Sequence, residues 1–221
     1  MTEWLTAVGD ESARMARRQL LQQLAISLAA LGSEARHLAP ESNAEDFDLR
    51  RILAAGLTGA VACELVSSVF ILASTRNAYG AVALVRQLVE TEYLAWAVTN
   101  DPSDAVQWLT STREQRRARW QPGKIRGRAG GRFPNTDYWD HCEAGGHPTP
   151  HGAISILDNR DAWVEVALYE AALHGANTWH YLIEAFSGLG VLTTLEQTHS
   201  NLDTAIAEWR RSDRLTGLPP V

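Results

Sequence analysis

The stretch Glu11–Leu38, ESARMARRQLLQQLAISLAALGSEARHL, decides the fold class because its apolar side chains recur at helical spacing. The apolar residues on or near one face are Met15, Leu20, Leu24, Leu28 and Leu31. The polar residues elsewhere on the helix are Arg14, Arg17, Arg18 and Gln22. Pro40 and the polar residues after it end the helix, because proline cannot continue the hydrogen-bond ladder.

The remainder of the chain repeats this period. Further helices are predicted at 48–75, 78–98, 103–120, 136–144, 161–187 and 193–212. Glycine and proline between 121 and 135 predict a loop, and no segment shows the alternation of a strand. The sequence therefore predicts an all-α protein, a single helical bundle of five to six long helices with one Gly/Pro/Arg-rich loop.

The composition fits one domain. A chain of 221 residues with 45% hydrophobic content can bury a single core. The expected parts of this domain (1–221) are an N-terminal helix and linker at 1–45, a core bundle at 46–190 and a C-terminal helix and tail at 191–221. Cys63 and Cys142 form no C-x-x-C pair, and the first ten residues lack a signal peptide's basic region. A cytoplasmic location is therefore expected.

Residues 52–73 require a choice between a membrane span and a buried helix. The run is long enough to cross a bilayer and carries one formal charge, Glu64. A carboxylate near the middle of a span is unfavourable in lipid. We therefore expect a buried central helix and no contact with a membrane.

Two features place polar groups where a plain bundle does not need them. Arg86 and Glu90 lie four residues apart in an apolar helix, so they share a face and can form an ion pair. The segment 147–152, HPTPHG, is held rigid by its prolines, and we expect His147 to turn inward and bond a carboxylate such as Glu90. The candidate catalytic residues are therefore Arg86, Glu90 and His147, with Tyr138 and His151 as ligand-binding candidates. The alternative is a structural ion pair and a structural loop histidine.

The helix at 161–187 carries a polar stripe. Its members are Glu170, His174, Asn177, Tyr181 and Glu184. The stripe is either a solvated face or the wall of an internal pocket, in which case His174 and Asn177 bind ligand. Glu170 and His174 can also share a metal ion with His147. The repeated Glu-x-x-His pattern of a di-iron bundle is absent, so we predict no metal and no cofactor.

A basic segment lies between Arg113 and Arg132, where eight basic residues face a single acidic residue, Glu114. The candidates for binding RNA, DNA or a nucleotide through phosphate are Arg116, Arg119, Arg126 and Arg128. The alternative is that this segment docks on an acidic surface of its own bundle or of a second subunit.

Two stretches resemble a bacterial all-helical family of unknown function. Residues 79–90, YGAVALVRQLVE, look like that family's helix with the pattern aLlRsllE, and 138–148 look like its later segment that begins with Tyr and ends with His-Pro. The resemblance covers residues 50–190. The family is similar to abortive-infection (AbiV) and HEPN proteins, and HEPN ribonucleases use an Arg-x4-6-His motif on the RNA backbone. This chain lacks that spacing, so Arg86 and His147 can meet only through the fold.

These observations support four hypotheses. The first is a cytoplasmic, homodimeric bundle that binds a phosphate-bearing or nucleic-acid ligand in defence or stress response. The second is a HEPN-like, metal-independent ribonuclease in which His147 is the general acid or base and Arg86 stabilises developing charge. The third is a non-catalytic protein-interaction module, and the fourth is a metal-dependent helical-bundle enzyme.

Overall fold

The computed structural model describes residues 8–39, 46–187 and 195–217, and these residues contain helices and no strand. The five long helices are α1 Glu11–Leu38, α2 Phe47–Ser74, α3 Ala78–Asn100, α9 Arg160–Ser187 and α10 Glu196–Ser212. The short helices are α4 Pro102–Thr110, α5 Arg113–Arg119, α6 Pro122–Arg128, α7 Asn135–His141 and α8 Pro150–Asp158. The all-α class and the bundle of long helices are confirmed.

Acidic side chains begin the first two long helices. Oδ1 of Asp10 accepts hydrogen bonds from the backbone N–H groups of Ser12 and Ala13, and Asp46 caps α2 in the same way. Each cap satisfies N–H groups that have no partner within the helix. Between α2 and α3 the backbone turns at Arg76, whose φ of 58° lies in the left-handed region.

Helices α1, α2, α3 and α9 pack against one another around the core. Leu20, Leu24, Leu28 and Leu31 of α1 are fully buried, as the helical period predicts. Met15, which was assigned to the same side, is 56% exposed, so that assignment is wrong. It lies five residues before Leu20, which is roughly 140° around a helix of 3.6 residues per turn.

Small residues let α1 and α2 approach closely. A side chain on Gly56 would place its Cβ 2.1 Å from the Cβ of Ala35, a distance that close-packed carbon atoms cannot adopt. A Cβ on Gly59 would lie 3.0 Å from Cδ2 of Leu31. Glycine at 56 therefore sets the separation of these two helices.

A buried ion pair joins α1 to the residue that follows α10. Arg17 is fully buried, and its Nε lies 2.6 Å from Oδ2 of Asp213. Nη1 of Arg17 also donates to Glu165 on α9, and Nε1 of Trp209 donates to Asp213. Arg17 is thus a core residue rather than part of a solvated face, because two carboxylates compensate its charge.

The segment between α3 and α9 is more helical than the sequence indicates. The predicted helix at 103–120 is divided into α4 and α5, and the predicted loop at 121–135 contains α6. The segment 147–152 was predicted to be a rigid loop, but it follows a π-helical turn at Cys142–Gly146, and its residues 150–152 belong to α8. These three predictions are corrected.

Proline explains the last two corrections, whereas Thr112, which caps the N-terminus of α5, accounts for the break between α4 and α5. Pro122 and Pro150 each stand in the first turn of a helix rather than after the last one. The first helical N–H has no partner within the helix, so proline loses nothing there and its fixed φ suits the helix. These prolines therefore start short helices where the sequence was interpreted as a rigid loop.

Helix α2 is long and apolar enough to cross a membrane by length and composition alone. Its most apolar window of 18 residues has a mean hydropathy of 1.8, and 39% of that window is buried inside the bundle. A single helix of this kind is weak evidence, since the core helix of a soluble protein has the same properties. The absence of membrane contact therefore stays a prediction.

Candidate metal centre

Glu92 on α3 and His174 on α9 form a buried pair between these helices, with 4% and 5% of their surfaces exposed. Oε2 of Glu92 lies 2.5 Å from Nδ1 of His174. Nδ2 of Asn177 donates to the other oxygen of Glu92 at 3.2 Å. The carboxylate therefore fixes the orientation of the imidazole, and a neutral ring would keep its proton on Nδ1.

The opposite nitrogen of His174 faces a second carboxylate and a second histidine. Nε2 of His174 lies 3.4 Å from Oε2 of Glu170, which is one turn earlier on α9. Nε2 of His141, the last residue of α7, lies 3.5 Å from the same oxygen. The two rings meet edge to face with centroids 5.2 Å apart. One ligand atom from each of His141, Glu170 and His174 thus lies within 4.8 Å of the others.

The electrostatics of this cluster favour charged groups despite their burial. Burial would raise the pKa of Glu170, but hydrogen bonds from His141 and His174 outweigh it and lower that pKa to about 2. Burial would lower the pKa of His174, but its hydrogen bonds to Glu170 and Glu92 raise that pKa well above the ordinary value. In the metal-free protein, the carboxylate of Glu170 is therefore ionised, and the imidazole of His174 is in its charged form, with a proton on each nitrogen.

The donor atoms suit a transition metal. Two imidazole nitrogens and one carboxylate oxygen are the protein ligands of many catalytic zinc and non-haem iron sites. Glu92 stands behind His174 as an outer carboxylate, which is the usual partner of a metal-binding histidine. The side chain of Glu170 is 20% exposed, so the cluster meets solvent on the side of this residue.

A second polar cluster, the arginine–tyrosine cluster, consists of Arg86, Glu90, Arg126 and Tyr138. The predicted pair forms: Nη2 of Arg86 lies 2.9 Å from Oε1 of Glu90, with the side chains 16% and 25% exposed. Nη2 of Arg86 also donates to the hydroxyl of Tyr138 at 2.9 Å, and that hydroxyl lies 3.5 Å from Glu90. The guanidinium of Arg126 stacks on the ring of Tyr138, 4.0 Å from its centroid.

Helix α7 connects the two clusters. Tyr138 and His141 are three residues apart on this helix and therefore share a face. The π-helical turn after α7 packs on α3, where a Cβ on Gly145 would lie 2.8 Å from Cγ1 of Val82. The segment leading to His147 thus lies over the helix of Arg86, as expected from the sequence.

The side chain of His147 does not reach the carboxylate that was expected to hold it. His147 is exposed, and the groups that contact Glu90 among the described residues are Arg86 and Tyr138. The inward orientation predicted for His147 is wrong, because Glu90 already has two partners. The backbone of His151 lies in α8, but its side chain is outside the part of the structure that is described.

The basic segment is partly used inside the protein. Arg119 and Arg128 both bond Asp104, a buried carboxylate on α4. Arg116 donates to the backbone carbonyl of Ser111. These contacts favour the alternative in which the segment docks on an acidic site of its own bundle. Arg126 differs from the other three arginines because its guanidinium stacks on the ring of Tyr138.

Two residues of the buried cluster were not predicted as site residues: Glu92 was interpreted as a solvated group or a member of a second site, and its 4% exposure excludes the solvated alternative, while His141 was given no role. Glu92 is a carboxylate inside an apolar helix, the signal that singled out Arg86 and Glu90, but it has no i,i+4 partner of opposite charge. His141 lies in a short helix next to the more conspicuous histidines at 147 and 151. The stripe residues His174 and Asn177 were found, and their partner Glu92 shows that this part of the stripe faces inward.

The described residues therefore define an all-α bundle with a buried histidine–carboxylate cluster beside an arginine–tyrosine cluster. Comparison with protein-family models, with curated proteins and with solved structures found no match to this chain. The resemblance to AbiV and HEPN-like helical proteins accordingly stays a prediction.

Proposed function

We propose that this protein is a metal-dependent enzyme in which His141, Glu170 and His174 hold a divalent transition metal. The convergence of their ligand atoms within 4.8 Å carries the proposal. Three protein ligands leave positions for water and substrate. An ion bound there would supply an activated water, since a coordinated dication lowers the pKa of water towards neutrality.

Charge balance supports a dication at this place. Glu92 and Glu170 bring two negative charges into a largely buried cluster. Neutral imidazoles and a dication leave no net charge, and buried charge must be compensated. Without a metal, the protonated imidazole of His174 compensates one of these two negative charges.

The proposal corresponds to the fourth hypothesis from the sequence, a metal-dependent helical-bundle enzyme, but it replaces one of the three ligands. That hypothesis combined Glu170 and His174 with His147. The position of His141, 3.5 Å from Glu170, supports it as the third ligand instead. Asn177 and Glu92 then serve as positioning residues, because they act on His174 and not on the ion.

The test is the metal content of tag-free protein. After exposure to Zn²⁺ and exhaustive dialysis, we expect about one equivalent per chain by elemental analysis. His141→Ala should retain little metal, and its circular dichroism should match that of the wild type. His180→Ala is the control, because it removes a histidine from α9, the helix of Glu170 and His174, but His180 contacts Asp203 instead of the cluster.

Two results would contradict the proposal. One is wild-type protein with less than about 0.1 equivalents of metal under these conditions. The other is an equal loss of metal in His141→Ala and His180→Ala, which would place the ion elsewhere. The HEPN-like ribonuclease, the interaction module, the homodimer and the cytoplasmic location stay predictions.

A further inference from the structure

Arg126 has donor groups that no described residue satisfies. Its Nε and Nη1 are shielded from solvent, and no acceptor among the described residues bonds either of them. Buried N–H groups in folded proteins nearly always have an acceptor, and an orphaned charged donor is the more costly case. Stacking on Tyr138 compensates part of the charge but supplies no acceptor in the plane of the guanidinium.

The charges around Arg126 point to an anion. Arg86 and Arg126 contribute two positive charges to the arginine–tyrosine cluster, and Glu90 contributes one negative charge. Among the four residues of the cluster, one positive charge is therefore uncompensated. Arg119 and Arg128, by contrast, share the carboxylate of Asp104.

We propose that the arginine–tyrosine cluster binds the phosphate group of a small phosphate monoester. Arginine matches phosphate because its planar guanidinium directs several donors at the oxygens. Because Nε and Nη1 of Arg126 are shielded from solvent, they suit the terminal phosphate of a small molecule better than the internal phosphodiesters of an extended nucleic acid. Arg86, whose Nη2 donates to the hydroxyl of Tyr138, belongs to the same cluster and is a further donor.

The position of this cluster links it to the metal. Tyr138 and His141 are three residues apart on α7, which places their Cβ atoms about 5–6 Å apart. The residue on which Arg126 stacks and the proposed metal ligand His141 are therefore held by one helix. The anion site itself stands on the contacts of Arg126, and its role as a substrate site rests on the proposed function.

The experiment measures binding of inorganic phosphate and of AMP by isothermal titration. Arg126→Gln should weaken both by at least about tenfold, the effect of losing charge-assisted hydrogen bonds. Arg117→Gln is the matched control, because it removes the same charge from an exposed position in the same segment. This control should change affinity by less than about twofold.

A single-stranded RNA decamer separates the monoester from a nucleic acid. We expect the decamer to bind no more tightly than AMP. Much tighter binding of RNA, reduced equally by Arg126→Gln and Arg117→Gln, would overturn the proposal in favour of a nucleic-acid surface. No binding of phosphate or AMP to folded wild-type protein would also overturn it.

The metal and the anion sites can be tested apart. Arg126→Gln should keep the wild-type content of Zn²⁺, because it touches no proposed ligand. His141→Ala should keep its affinity for inorganic phosphate after EDTA treatment. Phosphate binding that survives the loss of the metal would support the anion site even if the proposed enzyme function failed.

Discussion

Oε2 of Glu92 lies 2.5 Å from Nδ1 of His174, although the two residues are 82 positions apart in the sequence. The contact joins α3 to α9 and leaves Nε2 of His174 facing Glu170. When a metal ion replaces the proton on Nε2, the ring can keep its other proton on the side of Glu92 and offer a lone pair to the metal. A substitution of Glu92 therefore tests the orientation of His174 without removing a proposed metal ligand.

Glu92→Gln is expected to lower the affinity for Zn²⁺ by about 10- to 100-fold, the usual effect of losing an outer carboxylate. Titration calorimetry with Zn²⁺ measures the change. Glu90→Gln on the same helix is the control, because Glu90 contacts Arg86 and Tyr138 instead of His174. An equal loss of Zn²⁺ affinity in Glu92→Gln and Glu90→Gln would mean that net charge, rather than the orientation of His174, determines the affinity.

The stability of the metal-free protein should fall in acid through Glu170. Its pKa is about 2 in the folded protein and 4.5 ordinarily, so its contribution is complete above about pH 4.5 and is lost as the pH falls towards 2. Between pH 6 and pH 3 the free energy of unfolding should drop by on the order of 1–2 kcal/mol more than in Glu170→Gln. Urea unfolding in EDTA measures this.

The control for acid stability is Glu184→Gln, which removes an exposed carboxylate from the same helix. This variant should keep the wild-type dependence on pH. A wild-type profile that matches that of Glu170→Gln would contradict the low pKa of Glu170.

Glu90→Gln should destabilise the protein by about 1 kcal/mol, the lower end of the range of about 1–3 kcal/mol for a compromised buried partner. The pair with Arg86 is partly exposed, and solvent weakens such ion pairs. A double-mutant cycle with Arg86→Gln, followed by urea unfolding, isolates the coupling energy. A coupling energy indistinguishable from zero would show that the two residues do not stabilise each other.

Asp213→Asn should be the most destabilising of these substitutions, by about 3–5 kcal/mol, because it breaks a fully buried pair with Arg17. Guanidinium unfolding checks the value. Asp161→Asn breaks an exposed pair with Arg76 and should lower the free energy of unfolding by less than about 1 kcal/mol. Similar losses in both variants would contradict a core role for Arg17.

The long helices were predictable because local periodicity determines them. Leu20, Leu24 and Leu28 repeat at helical spacing and are buried, and no distant residue is needed to infer their side. The short helices were not predictable in the same way. From the sequence alone, Pro122 and Pro150 can each either end a helix or be the first residue of one. The packing of α6 and α8 decides between these two roles.

The site was only partly predictable because its contacts are distant in sequence. The Arg86–Glu90 pair is local and was found from its spacing. The contacts of Glu92 and His141 with α9 depend on how α3 and α7 pack against that helix. Local patterns contain no information about that packing. His147 was therefore predicted as the third metal ligand, whereas His141 is the histidine that lies beside Glu170.

Helix α7 has seven residues and no side-chain hydrogen bond at its N-cap, yet it contributes one residue to each cluster. Its placement therefore depends on what Tyr138 and His141 contact. If both clusters bind their ligands, ordering of α7 by one ligand lowers the entropy that the other must spend. Thermodynamic linkage requires this cooperativity to be reciprocal. Bound phosphate would therefore raise the affinity for the metal by the same factor as bound metal raises the affinity for phosphate.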